Sequence, residues 1–332
     1  MRNQGPNSAS KTDSSPIRSM PSPSLHTHMR GIFMYRHDHQ KLAILAVTIS
    51  GLIWGILWMP LRALNHDGIS GQWSVVLFYV APFMLLFPVY LFRLRQLLQG
   101  GLSLHLPSLL AASGLVLYAE SLIHTQVINA MLLYYLTPLW STLLARYFLR
   151  EHIGLDRWIT MVLAFLGLLV IFKIDSGIPF PQNIGDWMGL ASGIIWALAA
   201  VSIKKTDTVN TINTTLCYFF WGSLMALALT QLPIKGHQDI PAWKAVYDGF
   251  TDLLPVALLL IIPPAMAVLW GASILSPGIL GILFMTEIST GSISAAIWSH
   301  EPFGLREILG ITFISLAGLW EPLRNRQSLA DN

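Results

Sequence analysis

The sequence predicts an all-α integral membrane protein of about ten transmembrane helices, arranged as two inverted five-helix repeats. Three observations carry that expectation: a composition too apolar for water, ten apolar runs of membrane-spanning length, and a short phrase that occurs twice. Of 332 residues, 54% are hydrophobic and 11% are charged, whereas a soluble domain carries roughly 25% charged residues. With a mean hydropathy of +0.58, the chain must be solvated largely by lipid. A net charge of +3 is too small to suggest nucleic acid as a partner. The single cysteine, Cys217, excludes an internal disulfide and a cysteine metal cluster.

Residues 1–40 are rich in Ser, Pro and basic side chains and have no apolar period, so a disordered cytoplasmic tail is expected. They have neither the apolar core nor the cleavage site of a secretory signal, so removal by signal peptidase is not expected. A translation start at Met34, just ahead of the first apolar run, stays open beside one at Met1. Candidate spans then fall near 41–62, 73–92, 106–124, 127–149 and 154–173, and near 186–204, 214–232, 253–275, 277–299 and 305–322. Runs of about 17–25 apolar residues cross a hydrocarbon core of roughly 30 Å. Pro60, Pro82, Pro88, Pro138 and the Pro263–Pro264 pair interrupt several of them. Such breaks survive where neighbouring helices or waters satisfy the freed carbonyls, which implies a packed bundle. Residues 323–332 form a second cytoplasmic tail.

Orientation follows from the basic residues. With the N-terminus inside, only Arg62, Lys173, Lys235, Lys244 and Arg306 of the 20 Lys and Arg fall on the outer side. The positive-inside bias therefore places both termini in the cytoplasm.

The repeated phrase is SGLIW at 50–54 and SGIIW at 192–196, an offset of 142. Glu151, Gly154 and Leu155 return as Glu301, Gly304 and Leu305 at an offset of 150. The long loop around 233–252 accommodates the difference. Leu, Ile and Gly coincide easily in apolar text; Trp, Glu and Ser coinciding in the right order do not. Residues 41–173 and 186–322 thus read as two copies of a five-helix unit. Five is odd, so the second copy enters the membrane from the opposite side, an arrangement that secondary transporters use to build two related gates around a midplane site.

No span carries a basic residue near its middle, but two acids lie inside spans, Glu120 and Glu287. A carboxylate at that depth is costly and usually faces a partner or a water-filled path. Glu287 lies close to mid-span, and Thr290, Gly291 and Ser294 continue its face at helical spacing. It reads as a proton-coupling or amine-binding group, against the plainer reading of a neutral side chain hydrogen-bonded to the next helix. Glu120 has His124 one turn on, a pair able to share a proton or to sit as a wet interfacial couple. Glu151 and Glu301, ahead of helices, read as capping and repeat geometry. Trp54 and Trp58 share a face, Trp196 is the repeat mate of Trp54, and Tyr134, Tyr135, Trp140, Trp270 and Phe284 lie in core spans. Core aromatics can stack on a flat or cationic solute, although most such rings simply pack. Trp73, Trp158, Trp187, Trp298 and Trp320 sit near span ends, as an interfacial belt would place them.

The stretch YYLTPLWSTLLARYFLREHIG at 134–154, the Trp54–Gly55 pair and SHEPFG at 299–304 resemble the EamA family of the drug/metabolite transporter superfamily. The resemblance runs from about 41 to 322. It implies a ten-helix carrier in a bacterial-type inner membrane, mostly exporting amino acids and other small metabolites. One departure is plain: Ile288 stands opposite Pro138, and Glu287 opposite Thr137.

The resulting expectation is a secondary transporter working by alternating access, exporting a small neutral, zwitterionic or cationic solute. Uptake, a passive channel or a membrane enzyme are the alternatives. No HxxxxD, HExxH, GxSxG or Gly-Lys-Ser/Thr loop is present, so no catalytic residues, metal or cofactor are expected. A phosphate or nucleotide-sugar solute would want fixed cations in the pathway, which the spans lack. The expected partners are the solute, the lipid bilayer and protons, with a homodimer left open.

Overall fold

A computed structural model describes residues 25–330 apart from 58, 61–62, 65–67, 70, 126, 172–180, 207–209, 235–238 and 299–302. The chain divides into two units, 1–39 and 40–332. Among the described residues every regular element is helical: α1 Leu25–Trp54, α2 Gln72–Phe92, α3 Leu94–Gln99, α4 Gly101–His124, α5 Val127–Tyr134, α6 Thr137–Leu149 and α7 Leu155–Ile171. The second half follows as α8 Ile184–Lys205, α9 Thr211–Leu229, α10 Trp243–Val256, a π turn at Ala257–Ile261, α11 Ile262–Ile274, α12 Pro277–Phe284, α13 Thr286–Trp298 and α14 Leu305–Ala330. Helix occupies each of the ten expected stretches. Among the described residues, six segments are long and apolar enough to cross a membrane: Gln72–Phe92, Gly101–His124, Ile184–Lys205, Thr211–Leu229, Trp243–Ile274 and Pro277–Trp298.

α1 takes in residues 25–40, beginning two residues after Pro23, the last proline before Pro60. At the other end α14 runs through Pro322 to Ala330. The rest of both expected tails, 1–24 and 331–332, lies outside the described residues, as does Glu301.

The helix breaks locate the centre of the bundle. α5 stops at Tyr134 and α6 starts at Thr137, because Pro138 has no N–H to continue the ladder. The second half breaks at the matching place although Ile288 stands opposite Pro138: α12 stops at Phe284 and α13 starts at Thr286, so the break falls at Met285, 150 residues after Tyr135. Three-residue turns, Met285 N–H to Ile282 O (3.1 Å) and Ile288 N–H to Met285 O (3.0 Å), replace the α ladder there. A hydroxyl bridges each break. Thr137 donates to Tyr134 O, and Thr286 donates to Leu283 O at 2.8 Å. Thr286 also reaches Thr48 O at 3.3 Å. A threonine hydroxyl thus takes the backbone carbonyl three residues back at each break.

Glycines let the helices close on this centre. A Cβ on Gly114 of α4 would stand 3.0 Å from Trp196 N and 3.2 Å from Ser192 O of α8, so these two helices meet backbone to backbone. At the end of α11, the Lys204 ammonium donates to Ser273 O (3.1 Å) and Ile274 O (2.5 Å), placing a cation on the last carbonyls of a helix, where the dipole favours it.

Candidate functional site

Both copies of the repeated phrase sit against a helix break. A Cβ on Gly193 would lie 2.9 Å from Tyr134 O and 3.0 Å from Thr137 Oγ1, beside the first break. One on Gly51 would strike Thr286 Oγ1 and lie 3.4 Å from Phe284 O and Glu287 N, beside the second. Three residues beyond each glycine comes a tryptophan, and both tryptophans touch one ring. Trp54 meets Phe284 edge-on, with centroids 5.0 Å apart and planes at 82°. Trp196 meets it at 6.2 Å and 32°. Phe284 is itself the residue 150 positions after Tyr134. Tyr134 stacks on Tyr118 at 4.1 Å and 23° and meets Tyr135 edge-on at 5.1 Å.

Glu287 lies in the first turn of α13, half-buried. Its carboxyl faces the phenols of Tyr118, Tyr134 and Tyr135, with Tyr135 the nearest. Among the described residues no cationic side chain is paired with it. The run of phenols continues: Tyr218 and Tyr79 face Tyr134 and share a hydrogen bond, hydroxyl to hydroxyl, at 3.2 Å. Tyr79, Tyr118 and Tyr218 are additions that sequence reasoning missed. Tyr79 and Tyr218 are 139 residues apart, an offset that matches neither repeat. Trp54 Nε1 and the Tyr134 hydroxyl are buried without a hydrogen-bond partner. Buried polar atoms in that state are rare.

The other predicted residues separate from this cluster. Ser294 donates to Gly291 O (3.0 Å) and Gly55 O (3.4 Å), and Thr290 to Thr286 O (3.4 Å). Their face is closed by the end of the first span: a Cβ on Gly55 would stand 2.6 Å from Glu287 O, 2.7 Å from Thr290 Cβ and 2.8 Å from Gly291 N. The stripe beyond Glu287 is therefore a packing seam. Glu120 and His124 form a pair, Oε2 to Nε2 at 3.6 Å, with side chains 0% and 2% exposed. They are thus buried rather than wet. Glu120 and Tyr118 are two residues apart on α4 and so point in nearly opposite directions. Near the pair, the Thr125 hydroxyl donates to Asp186 Oδ1 at 2.6 Å, and Gln182 N–H and Asn183 Nδ2 donate to Asp186 Oδ2. Asp186, 2% exposed, had appeared only as the edge of a span; it is the tie between the end of α4 and the start of α8. Trp270 is half-buried against the apolar core on α11. Trp58 lies outside the described residues. No group of three or more His, Cys, Asp or Glu capable of holding a metal occurs among the described residues.

Apolar helices of membrane-crossing length, packed around a buried aromatic and carboxylic centre between two broken helices, define an integral membrane protein of the transporter class. The EamA-like transporter family model matches residues 41–173 and again 183–320, and the chain belongs to that family. The double match is the two-repeat layout seen in the sequence. Among relatives, the "Uncharacterized transporter YojE" of Bacillus subtilis is 28% identical over 278 residues, 81% of this chain and 89% of that protein. The "Riboflavin transporter" of Rhizobium johnstonii is 25% identical over 62% of this chain and 70% of its own length. The "S-adenosylmethionine uptake transporter" of Rickettsia felis is 26% identical over 40% of this chain and 42% of its own. A solved structure described only as "Crystal structure of protein" superposes with a TM-score of 0.66 and 15% identity, covering 86% of this chain and 98% of the other. At that identity it speaks for the fold alone. Family and relatives alike point away from an enzyme.

Proposed function

We propose that the protein is a proton-coupled secondary carrier that exports a small neutral, zwitterionic or cationic metabolite by alternating access. In this reading ten helices form two inverted repeats in a bacterial-type inner membrane, with both termini cytoplasmic. One observation carries it: two helix breaks 150 residues apart, each seated on one copy of the repeated glycine, with Trp54 and Trp196 meeting at Phe284 between them. Broken helices at a repeat interface are where carriers of this design place solute and coupling ion. Glu287, at the second break, is the proton-carrying group, and Trp54, Trp196, Tyr118, Tyr134 and Tyr135 provide the faces and hydroxyls for the solute. The relatives named for riboflavin and S-adenosylmethionine make flat-ringed solutes the first to assay beside amino acids.

Inward flux is the second reading, favoured by the word "uptake" in the name of the Rickettsia relative. The test uses protein reconstituted in vesicles with an imposed proton gradient, loading each solute inside or outside in turn. Saturable flux driven by the gradient is expected. Flux that rises linearly with concentration and ignores the gradient would reduce the protein to a passive pore.

A further inference from the structure

Away from the aromatic centre, where α3 and the first turns of α4 lie against α9, the ring of His105 joins three helices. It stands in the second turn of α4, half-buried and close to the exposed Ser103. Its Nε2 lies 3.0 Å from Leu97 O of α3, and Trp221 Nε1 of α9 donates to its Nδ1 at 3.1 Å. The two rings meet edge-on, with centroids 6.0 Å apart and planes at 88°. Leu97, Leu104, Leu216 and Cys217, each at most 2% exposed, form a small apolar cluster of their own, with Trp221 packed against it. α3 has only six residues, too few for a helix to stand alone, so contacts of this kind hold it in place.

These two bonds fix the proton. A carbonyl only accepts and an indole N–H only donates, so Nε2 carries the hydrogen and Nδ1 is bare. The ring is therefore neutral in this packing. Histidine is the side chain that gains charge between pH 5 and 8, and a second proton has one place to go, Nδ1, where it would meet the indole N–H. Two donors cannot share that contact, so protonation breaks it. Among the described residues, the acids on the helices packed around this ring, α2, α3, α4, α8 and α9, are Glu120 and Asp186. Glu120 lies 15 residues further along α4, about 22 Å away, and Asp186 is tied to Thr125 beyond it. The charged groups at the near end are all cations: Arg93, which donates to Asn213 Oδ1 at 2.9 Å, Arg95, Lys204 and Lys205. The Cys217 thiol and the Tyr90 phenol are the other titratable groups there. A protonated ring thus finds no counter-charge in place of the bond it loses.

We infer that His105 is a pH-sensitive latch between the two halves of the bundle: neutral, it ties α3 and α4 of the first half to α9 of the second, and protonated, it releases Trp221. The latch follows from the bonds of the ring and stands whether or not the carrier reading does. Its consequence for transport rests on that reading: α4 and α9 part as the solute is exchanged, and acid at the cytoplasmic end favours their parting there.

The test uses the full chain in a neutral detergent, unfolded thermally at a series of pH values between about 5 and 8. Wild type, His105→Gln, Trp221→Phe and the double variant are compared. Glutamine cannot take the second proton, and phenylalanine removes the donor that this proton would meet. The gap in midpoint between wild type and His105→Gln should shrink as the pH falls, because only the wild-type ring loses its bond. Between Trp221→Phe and the double variant the gap should change far less. A first gap that ignores pH would overturn the latch, and so would one that shrinks equally in both pairs. Hydrogen exchange of the wild-type chain, corrected for the intrinsic effect of pH, needs no variant. Amides of α3 and the first two turns of α4 should lose protection on acidification while those of α7 keep theirs; protection unchanged in α3 and α4 would equally overturn it.

Discussion

Replacing Gly55 by alanine tests whether the end of the first span is locked against the second helix break. The added methyl would stand 2.6 Å from Glu287 O, 2.7 Å from Thr290 Cβ and 2.8 Å from Gly291 N. Two of those three atoms are backbone, so no rotamer change relieves the contact and the helices themselves must separate. Forcing an extra methyl into a close-packed seam costs about 1–3 kcal/mol, roughly a five- to 150-fold shift in a folding equilibrium. Two neighbouring glycines provide the controls. A Cβ on Gly291 meets only Gly55 O, at 3.5 Å, and one on Gly154 meets nothing within 4 Å. Purified variants compared by thermal unfolding should therefore rank Gly55→Ala well below Gly291→Ala and Gly154→Ala, with the last two close to wild type. A Gly55→Ala protein that unfolds with the Gly154→Ala control would refute the seam, and with it the placement of Glu287 beside the first span.

Three further outcomes follow from the same geometry. Trp54→Ala and Trp196→Ala should each impair flux while leaving membrane insertion unchanged, since each removes one ring from Phe284; normal flux in both would return them to packing. Tyr218→Phe deletes the 3.2 Å bond to Tyr79 and should cost about 1 kcal/mol of stability, read as a lower unfolding midpoint that Tyr147→Phe, exposed at 78%, does not show. A reporter fused after Asn332 should be active only in its cytoplasmic form; external activity would remove the even number of crossings on which the inverted arrangement depends.

What the sequence could and could not disclose has physical reasons. The repeated phrase was legible because close helix crossings need glycine at fixed places, and Gly51 and Gly193 both serve one. Trp54 and Trp196 followed from the same offset. The break at Met285 was not legible, since proline announces a break and a threonine hydroxyl does not: Ser121 and Ser192 make the same bond to the carbonyl three residues back inside uninterrupted helices. Beyond Tyr134 and Tyr135, the phenol run was missed because its other members come from different helices, Tyr79 on α2, Tyr118 on α4 and Tyr218 on α9, and neutral tyrosines in apolar text carry no warning. Glu287 was found by its charge alone. Thr290 and Ser294 were grouped with it by helical spacing, which fixes a face but not what covers it. Asp186 was taken for a span boundary because its partners, Thr125, Gln182 and Asn183, lie in short connections that hydropathy passes over.

Glu287→Gln tests the central claim most directly. Glutamine keeps the shape of the side chain and its reach toward Tyr135 but cannot exchange a proton. The variant is reconstituted beside wild type, and two quantities are measured: net flux as a function of an imposed proton gradient, and solute counterflow at fixed, equal pH. If Glu287 carries the coupling proton, the variant stays folded and inserted and counterflow persists, while net flux no longer responds to the gradient. Loss of counterflow as well would mean that the carboxylate binds a cationic solute directly. Wild-type net flux with unchanged dependence on the gradient would contradict the account, leaving Glu287 as a strut between two broken helices.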